Sequence, residues 1–510
     1  MKNLIFISIY VCVFGLIGNA QGPRIVYSEP EREDSRRTEF EIIGKIGGNF
    51  LVYKNNRNDH DISVYDDDMK LKDRVELDYV NDHWINIDFI PYQDFFYMIY
   101  QYQRRNTLYC VGVKLDANAH KIGEPFELDT THIGFAANNK IYTTINSDDK
   151  QRIMIFKINS RNQKNFYFTT LLFNQNFELL GRNRMSMVME ERNDFFTDFL
   201  LTNDGDLVFG KFRRTNSNND FISKVFMILK YPDSLQFSIT DLQTDKRILD
   251  ELKIKVDNTN KRILLNALYF KQRRGNIEGL YSVVIDEKKN IKIRDTASVF
   301  TDELRSMARS SEGSARMAFN DYFIKNIITR RDGGFIIIGE SLFTTSRGNS
   351  FSRSNYFNWG NPWISPIDYY YWSPVYNPMY MPWSRFGGTN ATRYYAENIL
   401  VLSYNPNGGL EWTNVIPKSQ YDDESDNMIS YQLVNTGGEI HFLFNQFEKR
   451  TLLLNDQTMA PTGKITRNPT LKNLDKGYEF MPRLGKQVSA RQMIIPCVYR
   501  NFLCFAKIDF

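Results

Sequence analysis

One two-part pattern recurs along most of this chain and limits the fold more than any single segment does. The first part is a turn, often with Gly, feeding an apolar and aromatic strand. Its copies are Gly47-Gly48-Asn49-Phe50-Leu51-Val52-Tyr53, Asn203-Asp204-Gly205-Asp206-Leu207-Val208-Phe209, Asp332-Gly333-Gly334-Phe335-Ile336-Ile337-Ile338 and Thr436-Gly437-Gly438-Glu439-Ile440-His441-Phe442. Weaker copies start at Gln93, Asp148 and Asn258. The second part is an apolar strand that ends in an Asp/Asn turn and resumes as an alternating strand. It appears at Val64-Tyr65-Asp66-Asp67-Asp68, Val113-Lys114-Leu115-Asp116, Leu172-Phe173-Asn174-Gln175-Asn176, Val284-Ile285-Asp286, Ser403-Tyr404-Asn405-Pro406-Asn407-Gly408 and Leu454-Asn455-Asp456.

Each pair of parts makes four strands, as two successive hairpins. The first-part turns fall near residues 47, 93, 149, 205, 258, 333, 437 and 490. The period is therefore about 46 to 56 residues except where insertions lengthen it, the spacing of a β-propeller blade. The expected fold is all-β, a single β-propeller of eight four-stranded blades, with seven as the fallback. Met493-Ile494-Ile495 and residues 503–509 leave the last blade one strand short, and Arg24-Ile25-Val26-Tyr27-Ser28 can supply it. Pairing the N- and C-terminal strands would close the ring and remove an aggregation-prone edge.

Residues 351–386 break the pattern. They hold four of the six tryptophans (Trp359, Trp363, Trp372, Trp383), Tyr356, the run Tyr369-Tyr370-Tyr371, Tyr376 and Tyr380, together with five of the sixteen prolines. Proline this dense forbids both a helix and a sheet ladder, and disordered segments are poor in aromatics. The stretch therefore reads as a long aromatic loop. It either folds back over its own domain, or stacks on sugars, or presents Trp and Tyr anchors to a partner, as at interface hot spots. Trp359, Trp363, Tyr370, Trp372, Tyr376, Tyr380 and Trp383 are the candidate contact residues.

Both extra segments, at about 301–320 and 345–396, fall in the sixth blade and leave from one face of the disc. The first is expected to begin as a short helix, with Thr301 as its cap and Asp302 and Glu303 at the positive end of the dipole. The same face collects Arg104, Arg105, Arg213, Arg214, Arg273 and Arg274, whereas the opposite face takes the Asp-rich turns. A net charge of +4, from 64 basic and 60 acidic residues, thus conceals a polarised disc that could steer an acidic partner. That balance is too even for a nucleic-acid binder read from totals.

Lys2, the apolar run to Ile17 and Gly18-Asn19-Ala20 have the form of a secretory signal peptide over residues 1–20, leaving 21–510 as the propeller domain. No later segment has about 18 consecutive apolar residues. The mature chain keeps Cys110, Cys497 and Cys504. If Arg500-Asn501 is a two-residue turn, Cys497 and Cys504 face each other across two strands with Cα atoms roughly 5.5 Å apart. They are then either a disulfide or two buried thiols.

Catalytic motifs are missing from the sequence. The five histidines occur singly, without a zinc-ligand spacing, and there is no Gly-x-Ser-x-Gly elbow. Paired carboxylates from different blades would leave no local spacing. No cofactor or metal is expected.

Asp332-Gly333-Gly334-Phe335-Ile336-Ile337-Ile338-Gly339, followed by Asn398-Ile399-Leu400-Val401-Leu402 and Asn405-Pro406-Asn407-Gly408-Gly409-Leu410-Glu411-Trp412, resembles the repeat of exported bacterial propeller proteins associated with type 9 secretion. The resemblance covers most of the mature chain as architecture and one blade as a close motif. It implies a subunit of that machinery, such as the plug of its outer-membrane translocon. The expectation is an exported, non-catalytic propeller that acts as a partner-binding or scaffold subunit in the periplasm, its partner an envelope protein in an outer-membrane complex. The alternative is a secreted or cell-surface glycan-binding or glycan-degrading propeller, a hydrolase or lyase, that stacks sugars on the aromatic insertion.

Overall fold

The computed structural model describes residues 23–510 except 33–37, 57–58, 81–83, 135–136, 138–139, 163, 190–193, 217–218, 246, 273–274, 310–317, 347–391, 424–426, 449–450, 472 and 475–476. The strands form four-stranded antiparallel units one after another. In the first unit, Thr38–Ile46, Asn49–Asn56, Asp59–Tyr65 and Leu71–Glu76 pair in chain order. Later units span residues 84–132, 143–188, 194–241, 248–299, 322–422 and 431–467. The fourth and fifth are joined by the single pair Ile222–Leu249.

The eighth unit draws on both ends of the chain. Lys486–Ser489, Gln492–Tyr499 and Phe502–Asp509 come from the C-terminal end. Arg24–Tyr27 adds to the last of these strands, with Ile25 opposite Ile508 and Tyr27 opposite Ala506. Ser28 extends the ladder, its backbone N–H bonding to the Phe505 carbonyl at 2.9 Å.

Apolar residues decide how the units stack. Each successive pair shares a buried cluster, because the central strands are apolar on both faces, like Phe50-Leu51-Val52-Tyr53. The last unit shares one with the first: Phe40, Ile42, Phe50 and Val52 pack with Ile494, Leu503 and Phe505. First strands of neighbouring units also touch, as Thr38–Ile46 does with Trp84–Pro91 on one side and Lys486–Ser489 on the other.

The Asp/Asn turn has a specific chemistry. Asp66 Oδ1 accepts from the backbone N–H groups of Asp68 and Lys70, both at 2.9 Å. Asp116 does the same for Asn118 and His120, and Asn174 for Asn176 and Glu178. These side chains imitate a backbone turn. The residue three further on is left-handed: Met69 (φ 59°), Ala119 (φ 65°), Phe177 (φ 59°) and Gly408 (φ 74°). Only the last is glycine, the residue that adopts this conformation without strain.

Cys497 and Cys504 are paired in register as expected, but both are free and buried, so the disulfide alternative is corrected to two thiols. They lie in an apolar cluster with Val434, Leu443, Met493 and Ile495. Burial pushes the Cys497 thiol well above its usual range, which keeps it protonated and unreactive. Among the described residues, no helix is long and apolar enough to cross a membrane.

Candidate partner-binding face

The sixth unit positions both extra segments. Its second strand, Phe335–Ser346, and third strand, Thr392–Tyr404, pair as far as Ser346 opposite Thr392. The excursion between them thus departs from the end opposite the turns at Asp332–Gly334 and Asn405–Gly409. Residues 347–391, including Trp359, Trp363, Tyr370, Trp372, Tyr376, Tyr380 and Trp383, lie outside the described residues.

The strands that carry this segment are aromatic themselves. Phe343 stacks on Tyr395, with ring centroids 4.5 Å apart and planes at 11°. Tyr395 meets Tyr421 at 6.3 Å, and the Arg393 guanidinium lies 4.7 Å over the Tyr421 ring. Tyr421 is 52% exposed, so this stem presents an aromatic face to solvent.

The connection into the same unit begins as the helix Asp302–Ala308, capped by the Thr301 hydroxyl, which accepts from the Leu304 N–H at 3.2 Å. Arg305 fixes the helix by donating to the Ile277 carbonyl at 2.8 Å. Asn398, on the strand that returns from the aromatic segment, donates to the Arg309 carbonyl at 3.1 Å. The two extra segments therefore leave from one end, and the first is bonded there to the strand that carries the second.

Under that junction sits a buried charge cluster. Lys418 Nζ lies 2.7 Å from Glu340 Oε1, with side chains 1% and 0% exposed. Ser430 donates to the second Glu340 oxygen at 2.5 Å, and Lys418 also donates to the Ala396 carbonyl and to Gln420, each at 2.9 Å. Burial pulls the Lys418 ammonium down, with Glu340 opposing.

The basic residues at this end differ in how they are committed. Arg104 and Arg105 occupy the tight turn between Phe95–Arg104 and Thr107–Asp116 and are exposed. Arg213 is tied to the buried Asp194 by Nε at 2.7 Å and Nη2 at 3.2 Å. Arg214 lies 4.8 Å over the Phe195 ring. Arg273 and Arg274 lie outside the described residues.

Sequence reading missed a second set of charges, on or beside the first strands of the units. Lys140 pairs with Asp88 at 2.8 Å, Lys253 with Asp198 at 3.3 Å, Lys325 with Glu340 at 4.0 Å and Lys486 with Glu41 at 4.0 Å. Burial raises Glu41 to about 7, against Lys486 and Lys140 and helped by Asp88. Burial lowers Lys325 to about 8, against Glu340 and helped by Arg483 and Lys253. The available signal was one charge in an otherwise apolar strand, as in Phe40-Glu41-Ile42-Ile43. Among the described residues, no group of three or more His, Cys, Asp or Glu is placed to hold a metal.

No family model matches the chain, and no curated protein matches it. Among solved structures, it is similar to prolyl oligopeptidase B from Galerina marginata, at 9% identity and a TM-score of 0.40, over 93% of this chain and 56% of that one. Oligopeptidase B from Leishmania major is similar at 7% identity and a TM-score of 0.31, over 83% and 54% of the respective chains. A Synechocystis apocarotenoid oxygenase is similar at 10% and 0.33, over 96% and 94%. The chain spans little more than half the length of the two peptidases. All three carry the names of enzymes, so the comparisons do not support the expectation of a non-catalytic chain. At these scores the likeness transfers no activity, substrate or catalytic residue.

Proposed function

We propose that the mature chain closes into a single eight-bladed β-propeller and serves as a partner-binding subunit at the cell envelope, in the periplasm. Ring closure is supported by the strand Arg24–Tyr27 in the last unit and by the cluster the last unit shares with the first. The partner-binding reading is carried by one observation: two extra segments leave from the same end, the first bonded by Asn398 to the strand that carries the second. Aromatic residues crowd one of these segments, and such residues dominate binding energy at interfaces. The resemblance to propellers of type 9 secretion makes a protein of an outer-membrane complex the partner to seek first.

The test replaces residues 351–386 with a short Gly-Ser linker and compares pull-downs from native membranes by mass spectrometry. Loss of the envelope proteins captured by the parent is the expected result, and retention would sink the reading. Glycan-array binding by the parent that vanishes in the same variant would favour the sugar-stacking alternative instead.

A further inference from the structure

A second candidate site lies far along the chain from the aromatic segment, where the outer edge of the second unit meets the third. There a cleft of about 470 Å³ is lined by Thr131, Lys157, Asn159, Thr169, Arg182 and Arg184, among others. Its volume falls in the range of roughly 300–1,000 Å³ usual for small-ligand sites. We propose that this cleft binds a small hydroxylated carboxylate, an acidic monosaccharide by class.

The charge requirement follows from how the cations are held. Lys157 Nζ bonds to Asp129 Oδ2 at 2.5 Å, the Thr131 hydroxyl at 2.5 Å, the Thr130 carbonyl at 3.0 Å and the Tyr142 hydroxyl at 3.0 Å. An ammonium has three N–H groups, so Lys157 has none left for a ligand and contributes its field alone. Arg182 uses one N–H on the other oxygen of Asp129, at 2.7 Å. Arg184 lies 5.2 Å over the Tyr167 ring and has no carboxylate partner among the described residues. Three cations against the one carboxylate of Asp129 leave a surplus of two positive charges. The unused N–H edges of two guanidinium groups suit the forked geometry of a carboxylate.

An anion alone would leave one group unanswered. Asn159 Oδ1 is buried without a hydrogen-bond partner among the described residues, and such an acceptor is costly unless a donor arrives. A carboxylate or a sulfate ion has no proton to give at neutral pH. A hydroxyl has one, and Thr169, 8% exposed, places a second hydroxyl on the same wall. The ligand must therefore carry hydroxyl groups beside its negative charge.

The experiment is calorimetric titration of the full mature protein, at low salt, with sodium D-glucuronate, D-glucose and sodium sulfate. Glucuronate should bind, and glucose and sulfate should each bind at least about tenfold more weakly, the difference expected for one charged hydrogen bond or one unmet acceptor. Arg184→Ala, on an exposed outer-strand position, should weaken glucuronate about tenfold or more with an unchanged circular dichroism spectrum. Asn159→Ala should weaken glucuronate and leave sulfate unaffected. Equal binding of glucose, equal binding of sulfate, indifference to Arg184→Ala or no glucuronate binding at tens of millimolar would each overturn the proposal. The 351–386 linker variant should bind glucuronate as the parent does, so this site and the partner-binding reading can fail separately.

Discussion

The two ends of the stacked sheets use charge in opposite ways. At the turn end, Asp66 and Asp116 bond to their own backbone, as Asn174 does in the same position, so part of the acidity visible in the sequence is turn chemistry. At the loop end, the charges best held are those directed inward, Lys418 on Glu340 and Arg213 on Asp194. Among what that end leaves outside are the exposed pair Arg104 and Arg105 and the aromatic stem at Tyr421. A charge count by face is therefore a poor guide to a binding surface: the side chains that matter are those without an internal duty.

That contrast presupposes the proposed ring, which keeps the ends apart, and the severest way to break it is to delete residues 23–32. Val26 packs against the cluster joining first and last units, and Ile25 and Tyr27 pack against the one that contains the two cysteines. Their removal would also bare the ladder of Phe502–Asp509, an open edge prone to pairing with other chains. The expected loss is most of the about 5–15 kcal/mol typical of a folded domain, seen as aggregation in size-exclusion chromatography. A monomer with the parent's urea midpoint would show that the chain ends do not hold the ring.

The next largest effect belongs to the loop end. Lys418→Ala leaves Glu340 buried without its nearer cation, only Lys325 remaining at 4.0 Å, which should cost about 3–5 kcal/mol in urea unfolding. Replacing both partners by methionine should recover most of that loss, because an apolar pair carries no stranded charge. Equal instability of the single and double variants would mean that shape, not charge, holds this junction.

The repeat was legible in the sequence because turn and strand are local. Gly47-Gly48, Gly333-Gly334 and Gly437-Gly438 stand where first and second strands meet, and the Asp/Asn turns stand where third and fourth strands meet. Even the pairing of Ile25 opposite Ile508 could be read, since an unused apolar strand at one end matched a missing one at the other. The charge pairs were not legible. Asp88 and Lys140 lie 52 residues apart, and Glu340 lies 90 residues from Ser430, its hydrogen-bond partner, so only the packing of neighbouring units brings them together. Cys497 and Cys504 show the remaining gap: register can be read from a turn, whereas the state of two sulfurs opposite each other depends on geometry that spacing does not contain.

The turn end offers a test through pH. Glu287 is fully buried, its carboxyl oxygens have no hydrogen-bond partner among the described residues, and Lys261 is 3.8 Å away. Burial raises it to about 7, with Asp206 and Asp204 adding and Lys261 opposing. A raised carboxyl holds its proton more tightly in the folded chain than in the unfolded one. Its contribution is therefore present below about 4.5 and lost as pH rises through about 7. Glu287→Gln should add about 1–2 kcal/mol at pH 8 and little at pH 4, read from urea midpoints at the two values. The same gain at both would mean that a bulk change, and not ionisation, is responsible.

The smallest effects separate the arginines of the loop end. Arg104→Ala removes an exposed side chain with no carboxylate partner among the described residues, and should change stability by less than about 0.5 kcal/mol. Arg213→Ala removes one of two cations from the buried Asp194, leaving Lys211 at 3.4 Å, and should cost about 1–3 kcal/mol. Binding to the envelope proteins captured by the parent should respond in the reverse sense. Arg104→Ala should slow association at low salt, because an exposed charge acts through steering that salt screens. Arg213→Ala, measured below its own unfolding transition, should leave association unchanged. If both variants slow association alike, the charge of the whole end matters and the distinction between committed and uncommitted arginines falls.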